Sequence, residues 1–198
     1  MIIIRITQNM LSNAIVEYAE MKDVTLDVTE LARAGQLNRL PSHISGSVIS
    51  DDPSTFISQT LQKVDGNLTT KAMNVVLPNL KQVGGSFQAN AATKLVLYSA
   101  NSLGSFSAFV CADVSLPKLV RVTGPFDAIY ANTVHLPLLT NFTKMNAIMA
   151  VNLSTPKVPE AKLYNILAPN AREDGNPEAA LMRPELRTRR AALPVAAC

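Results

Sequence analysis

The chain repeats itself with a period of about 20 residues, and that period limits its possible folds more than any other feature. One apolar column reads Val64, Val83, Leu103, Val122, Phe142, with gaps of 19, 20, 19 and 20. A second, Leu61, Leu80, Ala100, Leu119, Leu139, keeps the same gaps. A third reads Ile57, Leu77, Leu97, Leu116, Leu136, and a glycine column reads Gly46, Gly66, Gly85, Gly104, Gly124. Columns sharing one period describe stacked, equivalent turns of chain. A single turn would leave its apolar stripe in water, and only its neighbours can cover it. The fold class expected is therefore mainly β, a β-solenoid of about six coils.

The chain divides into three parts. Residues 1–36 read as an N-terminal strand and helical cap. Ile2, Ile3, Ile4 and Ile6 suggest a short strand, and Thr7 is expected to cap a helix. Met10, Leu11, Ala14, Ile15, Tyr18 and Ala19 recur at steps of three and four, one face of an amphipathic helix. A second short helix is expected over 28–34, ended by Gly35. Residues 37–156 carry the leucine-rich repeat. Residues 157–198, with Pro159, Pro169, Pro177, Pro184 and Pro194, read as an extended arm.

Each column has a physical reason. Leu and Val stack on their copies in the next coil and bury one another. Glycine permits a positive φ or a corner with no room for a β-carbon. Phe87, Phe106 and Phe126 each follow a glycine by two residues, alongside Leu68, and are expected to form an aromatic ladder. Pro in Leu-Pro sits at a turn where no ladder donor is needed. The repeat at 97–106 has lost one residue before Gly104, and Lys144 takes the glycine's place in the last clear coil. At ~4.8 Å per strand, six coils stack to roughly 30 Å.

The coil Leu77-Pro78-Asn79-Leu80-Lys81-Gln82-Val83-Gly84-Gly85-Ser86-Phe87 is echoed by 116–126, from Leu116-Pro117 through Leu119, Val122 and Gly124 to Phe126. This pattern resembles the short leucine-rich, L-domain-like repeats of some bacterial and bacteriophage proteins, over about 120 of the 198 residues. The resemblance implies a right-handed solenoid with parallel strands stacked along its faces. The chain lacks the Asn or Cys ladder of the standard leucine-rich pattern, which favours a compact, nearly straight stack.

Charged residues make up only 17%, below the usual quarter, a share that fits an assembly subunit and a small β-rich domain alike. The net charge of +3 does not by itself point to nucleic acid. Two cysteines, Cys111 and Cys198, make neither a disulfide framework nor a zinc site. Cys111 reads as a buried thiol in a strand. The start of the chain is too short and too charged for a signal peptide, and no run approaches the ~20 apolar residues of a membrane span. Asn67, Asn141 and Asn152 head glycosylation sequons and are read as polar strand-edge residues.

Catalytic groups are sparse. His43 and His135 stand more than four coils apart and are read as lone histidines. Asp113 and Asp127 occupy different columns, so a facing carboxylate pair of the kind sugar-cleaving enzymes use is not expected. Asp51-Asp52-Pro53 reads as a turn. No cofactor, metal or catalytic residue is assigned. Arg183, Arg187, Arg189 and Arg190 cluster in the arm and read equally as partner contacts, to acidic protein or nucleic acid, and as a solvated tail.

The function expected is that of a non-enzymatic virion structural protein, a capsid- or tail-associated subunit, contacting copies of itself or other virion proteins through solenoid faces and the arm. Ordering such an arm costs ~1–2 kcal/mol per residue of backbone entropy, which burial against partners would have to offset. The alternatives are a soluble, cytoplasmic module that grips a host protein and, third, a β-helical glycoside hydrolase.

Overall fold

The structure, a computed structural model, describes residues 2–148 and 152–154. The N-terminal part holds β1 (Ile2–Arg5), α1 (Ser12–Ala19), β2 (Val24–Asp27) and α2 (Thr29–Arg33), then one 3-10 turn at Leu37–Arg39. Strands follow in quick succession: β3 (His43–Ile44), β4 (Ser47–Ser50), β5 (Thr55–Ile57), β6 (Lys63–Val64), β7 (Leu68–Thr70) and β8 (Asn74–Val76). Next come β9 (Gln82–Asn90), β10 (Lys94–Val96), β11 (Ser102–Phe109), β12 (Asp113–Ser115) and β13 (Arg121–Val122). The last are β14 (Pro125–Ile129), β15 (Thr133–His135), β16 (Lys144–Ile148) and β17 (Asn152–Ser154).

The fold is mainly β, and its strands pair in parallel in two sheets. Along the large sheet the order is β1-β2-β4-β7-β9-β11-β14-β16. Its central column places Ile4, Leu26, Val48, Leu68, Phe87, Phe106, Phe126 and Met145 in register, each opposite the next. The side chains from Leu26 to Met145 in that column are fully buried or nearly so. The first halves of the long strands β9 and β11 pair with β6 and β13, so Val64, Val83, Leu103 and Val122 also stand in single file. The small sheet, β5-β8-β10-β12-β15-β17, adds an inward column of Phe56, Val75, Leu95, Val114 and Val134. The core is the space these columns fill.

The Leu-Pro steps make short turns closed by Leu80 N–H to Leu77 C=O at 3.3 Å and Leu119 N–H to Leu116 C=O at 3.2 Å. Proline fits the second position of such a turn, where its fixed φ is already right. Against β9, β11 slips register between Leu103 and Ser105, because it has one residue fewer between its Leu and Phe slots. That is the residue missing before Gly104.

β1 and β2 continue the large sheet on the N-terminal side of the repeat. The steps from Ile4 to Leu26 and from Leu26 to Val48 are longer than those between later tiers. The extra length holds the helices. Gly35, at φ +67, follows α2; its N–H bonds to Ala32 C=O at 3.0 Å and that of Gln36 to Leu31 C=O at 2.8 Å. These two bonds complete a Schellman ending.

Several sequence expectations need correction. Ile57 pairs with Val76 and is exposed, so it does not belong with Leu77; Ser58, fully buried, holds that slot. The Ser58 hydroxyl accepts the Leu61 N–H at 3.2 Å, a polar replacement for leucine's packing. Thr7 does not cap α1, which begins well beyond it at Ser12 with no side-chain cap. Leu11 is exposed, while Ile15 and Ala19 carry the buried face. Lys144 stands opposite Pro125, so Thr143 takes the glycine slot. Cys111 is buried but lies in the corner between β11 and β12, outside any strand.

The repeated glycines do not use positive φ. They let backbones touch. A β-carbon on Gly66 would stand 2.7 Å from the Gly46 carbonyl oxygen, and one on Gly124 would stand 2.9 Å from that of Gly104. On Gly104 it would strike the carbonyls of both Gly84 and Gly85.

Candidate interaction surface

The corner where the chain leaves the large sheet for the small one recurs after β9, β11 and β14. Its inner slots are filled by small residues. Ala89, Ala108 and Ala128 end the inward face of the strands, and Ala92, Cys111 and Ala131 are tucked behind them, all buried. Between the two slots the chain must reverse its side-chain direction. Ala91, Val110 and Tyr130 do so with φ of 63°, 55° and 59°. Left-handed backbone costs roughly 1–2 kcal/mol per L-residue and suits a β-branched side chain such as Val110 least.

Earlier corners avoid this cost. Ser50 and Thr70, fully buried, occupy the slot of the later alanines. The Thr70 hydroxyl accepts the Ala72 N–H at 3.2 Å, and the Ser50 hydroxyl accepts that of Asp52 at 3.4 Å. A side-chain turn thus does there what left-handed backbone does at the later corners.

Outside the corner lies an apolar ridge. Asn90, Phe109 and Ile129 are paired in file, and the left-handed residue follows each. Phe109 is 46% exposed, Val110 50% and Tyr130 53%. The Phe109 and Tyr130 rings meet edge to face, with centroids 5.7 Å apart and planes at 87°. That geometry suits the quadrupoles of both rings. Sequence reasoning missed this surface, although Phe109 to Ile129 and Val110 to Tyr130 both keep the step of the repeat.

A polar cleft lies on the other side of the large sheet's corner glycines. It is shallow and open, about 310 Å³, and is lined by Ser42, His43, Gln62, Lys63, Lys81 and Gln82. His43 Nε2 stands 2.8 Å from Asp65 Oδ2, and Lys63 Nζ stands 2.7 Å from Asp65 Oδ1. His43 is therefore not the lone histidine its sequence position suggested. Its partner lies one tier further along the chain, brought near because β3 pairs with β6. The Lys63 hydrogen bond holds the Asp65 carboxyl below its ordinary value; burial opposes it, and His43 adds to the lowering. All three groups are well exposed, so the cluster contributes at most about 1 kcal/mol. Chemically it offers hydrogen bonds and modest positive charge.

The other sequence candidates are not brought together. His135 sits on β15 of the small sheet, away from His43 on β3 of the large one. Asp113 and Asp127 likewise belong to different sheets, and Asp127 accepts a bond from the Asn146 amide. Arg183, Arg187, Arg189 and Arg190 lie outside the described residues. None of the family models, curated proteins or solved structures compared with the chain matches it. Among the described residues no group of three or more His, Cys, Asp or Glu side chains could hold a metal ion. No helix among them is long and apolar enough to cross a membrane.

Proposed function

We propose that this chain is a non-enzymatic assembly protein: a capped β-solenoid that makes protein–protein contacts through its outer ridges. The eight strands of the central column support six tiers within residues 37–156 and two more before them, built with α1 and α2. One observation carries the reading. At the Phe109, Val110 and Tyr130 corner, strained backbone and half-exposed aromatic side chains coincide. Strain of this kind persists where the surrounding structure imposes it, and it clusters at working surfaces. Half-exposed Phe and Tyr match the aromatic enrichment of protein interfaces. The resemblance to bacteriophage repeats extends the role to a subunit of a virus particle.

Native mass measurement and particle imaging test the proposal. Ordered oligomers or particles that dissolve when Phe109→Glu and Tyr130→Glu are combined support it, provided circular dichroism is unchanged. A one-to-one complex with a host protein, lost in the same double variant, supports the binding-module alternative on the same surface. A chain that associates with nothing overturns it, and assembly that ignores both substitutions overturns the ridge as its contact surface.

A further inference from the structure

We infer that β1 is a self-association edge, through which two copies of the chain join β1 to β1 in antiparallel fashion. The inference rests on the reading of the chain as an assembly protein and names one partner, a second copy.

β1 is the outermost described strand of the large sheet and pairs on one side only, with β2. The Ile6 N–H bonds to Asp27 C=O at 2.8 Å, so Ile4 and Ile6 face β2. Alternate residues of a parallel ladder face opposite neighbours. The N–H and C=O of Ile3 and Arg5 therefore point to the open side. A row of open donors and acceptors is a template for another extended chain.

Sheet edges are normally blunted by proline, a bulge or a free charge. β1 carries neither proline nor bulge, and its one charge, Arg5, is 71% exposed but reaches back toward Asp27 of the neighbouring strand, with Nε 3.5 Å from Oδ2. The apolar surface also gathers at this end. Of the twelve large apolar side chains exposed among the described residues, five lie in residues 2–21: Ile2, Ile3, Leu11, Val16 and Met21.

A second copy fits because a two-fold axis gives each surface to its own duplicate. The register that joins the open groups sets Ile3 against Arg5 of the other copy, and Arg5 against its Ile3. Ile4 then faces Ile4 across the axis as a non-hydrogen-bonded pair. No like charges stand directly opposite, and the central apolar column runs on from Met145 through Ile4 into the second copy.

Sedimentation and native mass at micromolar concentrations should give twice the 21.3 kDa chain mass. Ile3→Pro removes an open N–H that β2 does not use, so it should weaken the dimer at least tenfold and leave the monomer's melting temperature unchanged. Ile3→Lys does the same by charge and stands in if the proline variant misfolds. In a Cys198→Ser background, Ile4→Cys should cross-link spontaneously between copies. Facing Cα atoms in such a pair are about 4.5 Å apart, within disulfide reach. A monomeric wild type, a dimer indifferent to both Ile3 variants, or no cross-link overturns the inference. So does a monomer whose Ile3 amide is protected from exchange, since the chain would then cover its own edge. An oligomer broken by Tyr130→Glu but not by Ile3→Lys sinks this edge and leaves the assembly role standing; no association of any kind sinks both.

Discussion

Phe106 and Phe126 stack face to face, with ring centroids 4.5 Å apart and planes within 8°. Phe87 continues the pile at 5.7 Å and 4° on the other side of Phe106. The parallel ladder enforces this arrangement, since identical slots on paired strands carry identical rotamers one strand spacing apart. Phe106→Ala is expected to cost about 3–5 kcal/mol, by transfer and by the cavity left between two rings. Phe106→Leu should cost about 1.5 kcal/mol or less, because Leu68 already fills the same slot two strands away. Urea melts of the two variants check the contrast.

Gly104 and Gly35 should respond differently to alanine. At Gly104 a β-carbon meets two backbone carbonyls that cannot move without breaking strand pairing. Gly104→Ala is expected to destabilise by more than about 4 kcal/mol, or to prevent folding. At Gly35 space is open and only the φ of +67 opposes the change, so Gly35→Ala should cost about 1 kcal/mol. Thermal melts rank the pair, and equal losses would refute the close-approach account.

Val110→Gly should stabilise the fold. Relief of left-handed strain at φ 55 exceeds the added unfolded-state entropy of glycine, for a net gain of about 1 kcal/mol. The same variant removes half-exposed apolar surface from the ridge. A chain that melts higher and assembles more weakly is the expected pairing; a lower melting temperature would mean that the corner is not strained.

Asp27 links two elements. Its Oδ1 accepts the Thr29 N–H at 3.1 Å and the Thr29 hydroxyl at 2.6 Å, tying it to the first residue of α2 from the position before the N-cap Val28, and its other oxygen meets Arg5 on β1. Burial pushes its carboxyl up, but the Thr29 bonds and Arg5 outweigh burial and hold it below its ordinary 3.8. A depressed carboxyl stabilises the folded state above the unfolded value and loses that contribution as pH falls through the folded one. Stability should therefore be full above about pH 4 and decline below it. Asp27→Ala should cost about 1–2 kcal/mol near neutral pH, through its lost hydrogen bonds to Thr29, and flatten the acid limb. Melts from pH 2 to 7 check both, and an unchanged acid limb would refute the assignment.

Much of the middle of the fold was legible because each turn must present an apolar side chain at the same slot, and that requirement writes itself as a period. The missing residue at Gly104 was visible on the same ground. So in principle was Ser58: its step of 19 to Leu77 fits the neighbouring columns, whereas the step of 20 from Ile57 does not. Ile57 carries the apolar side chain that column would lead one to expect, but a polar residue satisfied by its own hydroxyl holds the slot.

By itself, then, the sequence determined the repeat, its length, the inward columns and the phenylalanine pile, since all of these are burial demands repeated along the chain. Tertiary structure alone decided that β1 and β2 extend the large sheet, because the helix inserted after each lengthens the step and hides the period. It also decided the His43–Asp65 contact, which depends on strand register, and the left-handed corners, which are backbone states with no side-chain signature. Side-chain polarity records what is buried; it does not record which strand lies alongside or how the backbone bends to bring it there.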